Sequence, residues 1–160
     1  LDVKLNGLFY GDGPLTPARY RAWLDDLAVR YVAVAGVWLD PAGATEGRLV
    51  AGGRVPGLRE VWRSRDWRLY RVDGAAPLAT PPVRVTALGL DTVDLATPRP
   101  ATTVVRVRFT PYWALTRGRG CVGPADGGWT RVRMDEPGAA RLAIRFAPGR
   151  IRATSARCTD

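Results

Sequence analysis

Acid–base chemistry needs carboxylates that face one another, and the adjacent acidic pairs in this chain are Asp25-Asp26 and Asp135-Glu136. Neighbours on a helix lie about 100° apart, and neighbours on a strand point to opposite faces. Neither pair therefore makes a facing couple, and both read as solvated surface charge. The chain has no histidine, which removes Ser-His-Asp and Cys-His nucleophiles, the H-E-x-x-H zinc site and a histidine pH switch. Its two cysteines, Cys121 and Cys158, are too few for a Cys-type zinc site or an iron–sulfur centre. No G-x-S-x-G or P-loop pattern occurs. Gly118-Arg119-Gly120 and Gly127-Gly128 read as hairpin turns rather than phosphate cradles. The expectation is no catalytic residue, no metal site and no cofactor.

Two residue classes remain that can bind. Trp62, Trp67, Tyr70, Tyr112, Trp113 and Trp129 could form a saccharide platform, because sugars present apolar faces that stack on aromatic rings; core packing accounts for them equally well. Trp129, Trp62, Trp67, Tyr112 and Trp113 are the saccharide candidates. The second class is arginine: all but Lys4 of the 24 basic residues are arginine, and the net charge is +9. A GC-rich genome explains such a bias without function. The charge is nonetheless uneven, with 11 basic and 9 acidic groups in residues 1–75 against 13 and 6 in residues 76–160. An excess of this kind suits an acidic polymer or anionic headgroups. No zinc-finger spacing, RNP motif or basic helix supports nucleic acid as a partner.

Cys121 and Cys158 lie 37 positions apart. A bond between them would tie down the C-terminal tail, contribute roughly 3–4 kcal/mol, and imply an oxidising compartment; two separate buried thiols are the alternative. No apolar run approaches the ~20 residues of a membrane span. The chain begins at Leu1 and reads as a piece of a longer protein.

The elements that must position these residues change character near residue 76. In 1–75, Thr16-Pro17 opens a helix with Tyr20, Trp23, Leu24, Leu27 and Tyr31 along one face. Tyr31–Val37 reads as a buried strand, Thr45–Ala51 as a short helix, and Leu58–Arg63 with Trp67–Val72 as a hairpin about Ser64-Arg65-Asp66. This is a small α/β unit. In 76–160, short alternating runs at Val83–Ala87, Thr92–Ala96, Thr103–Thr110, Tyr112–Thr116, Trp129–Met134 and Arg141–Phe146 indicate an all-β sandwich, immunoglobulin-like or jelly-roll. The fold class is thus α+β. Alternation directs Val105, Val107, Phe109, Val132, Met134, Leu142, Ile144 and Phe146 inward. It directs Arg106, Arg108, Arg131, Arg133, Arg141 and Arg145 outward, as an arginine ladder bearing Trp129. Such a ladder is expected to meet an anionic surface.

Leu15–Val34, Val55–Trp62 with Trp67–Val72, and Val105–Trp113 together resemble the C-terminal extracytoplasmic domain of large actinobacterial polytopic membrane proteins that look like GT-C glycosyltransferases. The resemblance implies a non-enzymatic accessory domain at the extracytoplasmic face of the membrane, with Asp2–Tyr10 following the last membrane-facing part. The partners it implies are the transmembrane part of the same chain and an envelope glycan or lipid-linked sugar, to which the arginine ladder adds an anionic membrane surface. The family's catalytic carboxylates lie among transmembrane helices, so none carries over. A domain that only braces the membrane part or a protein partner is the other reading.

Overall fold

The computed structural model describes residues 7–10, 13–146 and 158. Two compact units divide the chain, Leu1–Ala76 and Pro77–Asp160. Among the described residues ten strands form three antiparallel sheets, and the α-helices lie in the first unit, the second having only a 3-10 turn at Asp126–Gly128.

The N-terminal unit runs α1 (Gly7–Tyr10), α2 (Pro17–Asp26), β1 (Tyr31–Ala35), α3 (Pro41–Ala51), β2 (Leu58–Arg63) and β3 (Trp67–Val72). Thr16 caps α2 by accepting from the Arg19 amide, and Pro17 takes the first turn, where its missing N–H costs nothing. α3 starts earlier than the expected Thr45 because Asp40 caps it through the Gly43 amide and Pro41 follows at once. The sheet order is β1-β3-β2. Tyr20, Leu24, Val32, Val50, Val55, Tyr70 and Val72 form the core, so both longer helices cover one face of this sheet. β1 was expected to be a buried strand through Val37. It instead ends at Ala35 and buries only Val32, because it is an edge strand with helices on one side alone.

The C-terminal unit packs a four-stranded sheet on a three-stranded one. The first has the order β4-β5-β10-β7: β4 (Arg84–Leu88), β5 (Thr92–Thr97), β7 (Trp113–Arg117) and β10 (Gly138–Ile144). The second is β6-β9-β8: β6 (Ala101–Arg108), β8 (Gly120–Ala125) and β9 (Trp129–Met134). Val93, Leu95 and Leu142 of one sheet meet Val105, Val122, Val132 and Met134 of the other in a single core, which makes the unit a β sandwich. Buried Thr103 and Thr130 donate to the Thr80 and Val107 carbonyls, each at 2.9 Å, so no buried hydroxyl goes unbonded there.

Two expectations fail at the edges of this sandwich. Ile144 and Phe146 were directed inward but are exposed. Ile144 is the last residue of β10, one past the final β5 pair at Ala143–Thr92, and Phe146 lies beyond the strand. The alternation simply outlasts the sheet that would bury it. The run after the Gly118-Arg119-Gly120 turn was not expected to be a strand, yet Cys121 lies in β8, paired with Arg133 of β9. Residues 118–123 also spell G-x-G-x-x-G, yet Gly120–Ala125 is an antiparallel strand with no helix following, so the phosphate-binding context is absent. At Gly120 a Cβ would fall on the Arg133 carbonyl, and its φ of +149° suits glycine, so backbone approach accounts for this residue.

Candidate functional site

Register sorts the side chains of the N-terminal sheet. Opposed residues of an antiparallel pair share a face. Val32, Tyr70 and Val72 lie on the helix-covered face, with Leu58 opposite Val72. The other face carries Tyr31, Ala33 and Ala35 from β1, Trp67, Leu69 and Arg71 from β3, and Arg59 and Trp62 from β2. A β-bulge between Glu60 and Trp62 puts Trp62 opposite Leu69, on the same side as Trp67. Among the described residues no helix of this unit covers this face. Tyr31 is 55% exposed, Trp62 53% and Trp67 50%, so three aromatic rings stand half-exposed on one pleated surface. Beside them Asp73 accepts from Arg71 at 3.1 Å and from Arg59 at 3.3 Å. Bonds from both guanidiniums, Arg59 foremost, hold its carboxyl below the usual carboxylate range. An open sheet face of this kind offers flat apolar rings with fixed hydrogen-bonding groups at the rim, the combination that a pyranose or furanose ring requires.

The remaining saccharide candidates lie in the other unit and are engaged by the fold. Trp113 is half-buried against the sandwich core and donates from Nε1 to the Arg108 carbonyl at 2.9 Å. Tyr112 is half-buried, its ring 5.2 Å from that of Phe146. Trp129 was expected on an exposed ladder but is only 7% exposed. A register shift in β6 between Val105 and Arg108 brings Arg108 opposite Trp129, with its guanidinium 3.9 Å from the indole centroid. The same guanidinium donates to the Gly127 carbonyl at 2.6 Å, closing the turn over the ring.

The arginine ladder is likewise divided. Arg141 belongs to the four-stranded sheet, where its fork holds Asp94 at 2.6 and 2.9 Å. That bond keeps the Asp94 carboxyl below its ordinary range. Arg133 pairs with Asp135 at 2.9 Å, Arg106 and Arg131 are partly buried, and Arg145 is exposed just past β10. The expectation of one arginine ladder is corrected on two grounds: the residues belong to two sheets, and carboxylates opposite on the neighbouring strand or two residues along engage Arg141 and Arg133.

The Cys121–Cys158 bond is present, with an S–S distance of 2.04 Å. Cys121 and Gly123 lie on the outer face of β8 opposite Arg133 and Arg131, and a Cβ at Gly123 would sit 3.4 Å from the Cys158 carbonyl. The bridge thus brings Cys158 onto the very face given to the ladder, which explains why Cys121 and Gly123 are buried there.

Tyr20 is buried and donates to Glu46; burial first, then this bond, pushes its phenol well above its usual value. Among the described residues no group of three or more His, Cys, Asp or Glu side chains could hold a metal ion, and no helix is long and apolar enough to cross a membrane. Tyr31 is the site residue that sequence reading missed. It sat in a run read as a buried strand, and only strand order shows that its outer side is bare. Comparison of the chain with protein families, curated proteins and solved structures finds no match.

Proposed function

We propose that the chain is a non-catalytic accessory domain on the extracytoplasmic face of the membrane, part of a glycosyltransferase-like integral membrane protein, and that it binds an envelope saccharide. The observation that carries the binding reading is the uncovered sheet face with Tyr31, Trp62 and Trp67 half-exposed. Aromatic surface left in water is a cost unless a ligand covers it, and contiguous exposed apolar area marks binding sites. The intact disulfide is in keeping with an oxidising compartment. A glycan array spanning arabinans, galactans and mannans, followed by titration of tryptophan fluorescence, tests the reading. Binding that quenches or blue-shifts emission and is weakened in Trp62→Ala and in Trp67→Ala supports it; silence across all three polymer classes overturns it.

A domain that braces a protein partner draws on a different region. Leu88, Leu90, Ile144 and Phe146 are exposed at the end of the four-stranded sheet where β4 turns into β5 and β10 finishes. Cross-linking to a protein partner through this end, with no glycan bound, would favour that reading.

A further inference from the structure

At the β2–β3 turn a cleft of about 490 Å³ is lined by Arg63, Ser64, Arg65, Trp67 and Arg68 on one side and by the end of β1 through Gly36 and Ala51 of α3 on the other. We infer that this cleft takes an anionic group, a phosphate ester or a carboxylate, borne by a saccharide whose ring stacks on Trp67. The saccharide half of the inference rests on the reading above; the anion half stands on the cleft alone.

Three guanidiniums line the cleft and no carboxylate does. Arg63 and Arg68 are direct cross-strand partners on one face, an arrangement of like charges that destabilises a sheet unless something lies between them. Glu60 accepts both prongs of Arg63 at 2.7 and 3.0 Å and acts on Arg68 only through the weaker long-range attraction, so the Arg68 fork keeps its hydrogen-bonding capacity. Arg65 reaches Asp66 only at 4.0 Å, with its own side chain 96% exposed, and Arg68 has no salt-bridge partner among the described residues. Two forked donors are therefore left for a ligand, and planar guanidinium groups match the oxygens of phosphate and carboxylate in pairs.

The turn that presents them is held in place. Ser64 Oγ accepts from the Asp66 amide at 3.3 Å and the Trp67 amide at 3.1 Å, which leaves the hydroxyl proton to donate outward. The Ser64 amide donates to the Trp67 carbonyl at 2.8 Å, and the Gly36 amide to the Asp66 carbonyl at 2.7 Å. A Cβ on Gly36 would stand 3.3 Å from that carbonyl, so this close seat is tight for any larger residue. Register sets Arg63 and Arg68 with Val34 on the helix-covered side of the sheet and Trp67 on the bare side, and Trp67 also lines the cleft, so a ligand held by the arginines meets this ring around the end of the hairpin.

Calorimetric titration with inorganic phosphate, a hexose phosphate, a hexuronate and the neutral hexose, at low and at moderate salt, tests the inference on wild type, R65Q/R68Q and the control R84Q/R99Q. Arg65, Arg68, Arg84 and Arg99 are all exposed, so the variants are expected to keep the wild-type circular dichroism. The expected result is at least tenfold tighter binding of one charged sugar than of the neutral one, a margin lost in R65Q/R68Q and kept in the control. Preference for the phosphate or for the uronate identifies the source of the charge. Equal affinity for charged and neutral sugars, or a margin that survives R65Q/R68Q or falls in the control, overturns the inference. Binding of the neutral sugar without a margin sinks the anion site and leaves the saccharide reading standing. Phosphate binding lost in R65Q/R68Q, with no glycan bound by any arm, does the reverse.

Discussion

The two units use antiparallel sheet in opposite ways. In the sandwich, each sheet covers the apolar face of the other, and among its tryptophans Trp129 lies under Arg108 and Trp113 packs against the core. In the N-terminal unit, two helices cover one face of a three-stranded sheet and the other face stays in water with Tyr31, Trp62 and Trp67 on it. The N-terminal unit carries nine of the 14 aromatic residues and the sandwich five, yet number alone does not decide exposure, since Tyr20 and Tyr70 of the first unit are as buried as Trp129 of the second. What separates a packing tryptophan from a displayed one is whether the architecture supplies a second layer. A two-layer unit with a single sheet has a surplus face by construction, and its aromatic rings are left in water there.

The largest effect expected from breaking this contrast falls on the sandwich. A C121S/C158S chain loses the constraint on a loop of 37 residues, worth roughly 3–4 kcal/mol on the chain-entropy model. Urea denaturation should show the sandwich transition moving to lower denaturant while the N-terminal unit unfolds where it did. An unmoved sandwich transition would refute a stabilising role for the bridge.

The next effect belongs to the N-terminal unit. Tyr20 is fully buried and its folded phenol titrates above the unfolded value of 10.0. Its contribution is complete below pH 10. Above that the unfolded chain sheds the proton and the folded one keeps it, so stability falls by about 1.4 kcal/mol per pH unit. Y20F should begin about 1 kcal/mol less stable for want of the Glu46 bond, yet show a flatter decline above pH 10. Parallel declines in the two proteins would locate the alkaline sensitivity elsewhere.

Much of this contrast was legible in the residues. The N-cap pair Thr16-Pro17 placed α2, the polar Ser64-Arg65-Asp66 placed the hairpin, and alternation in Trp129–Met134 placed Val132 and Met134 in the core. Three things were not legible, each for a physical reason. β8 is Gly-Cys-Val-Gly-Pro-Ala, too rich in glycine and proline to read as a strand, and it pairs because β9 supplies the ladder. Bulges in β2 and β6 decide that Trp62 joins Trp67 and that Arg108 covers Trp129, and a bulge leaves no mark in a period-2 pattern. The bareness of one sheet face depends on helix placement, so Tyr31 gave no local signal.

A smaller effect sharpens the distinction between displayed and packed rings. Trp62→Ala and Trp67→Ala should each weaken saccharide binding about tenfold, or about 1.4 kcal/mol, while changing folding stability by no more than about 0.5 kcal/mol, as for ordinary surface substitutions. Thermal melts alongside the fluorescence titrations separate the two quantities. If either substitution lowers stability as much as it lowers affinity, that ring is packed and not displayed.

The smallest effect concerns the ion pairs that replace an open arginine ladder. Arg141 and Asp94 lie opposite each other on β10 and β5, and the fork between them holds the Asp94 carboxyl below its ordinary value in the folded chain. A depressed folded value means the pair contributes above the unfolded carboxylate value and loses that contribution as pH falls through the folded one. The pair is exposed, so salt screens it and the size of the effect is modest. Sandwich stability in wild type should therefore decline on acidification more steeply than in D94N, with the difference shrinking at high salt. In D94N the freed Arg141 also adds a guanidinium to the surface, so co-sedimentation with anionic vesicles at low salt should rise slightly over wild type. Identical acid profiles in the two proteins would show that Asp94 does no more than neighbouring water, and would return Arg141 to the set of solvated surface charges.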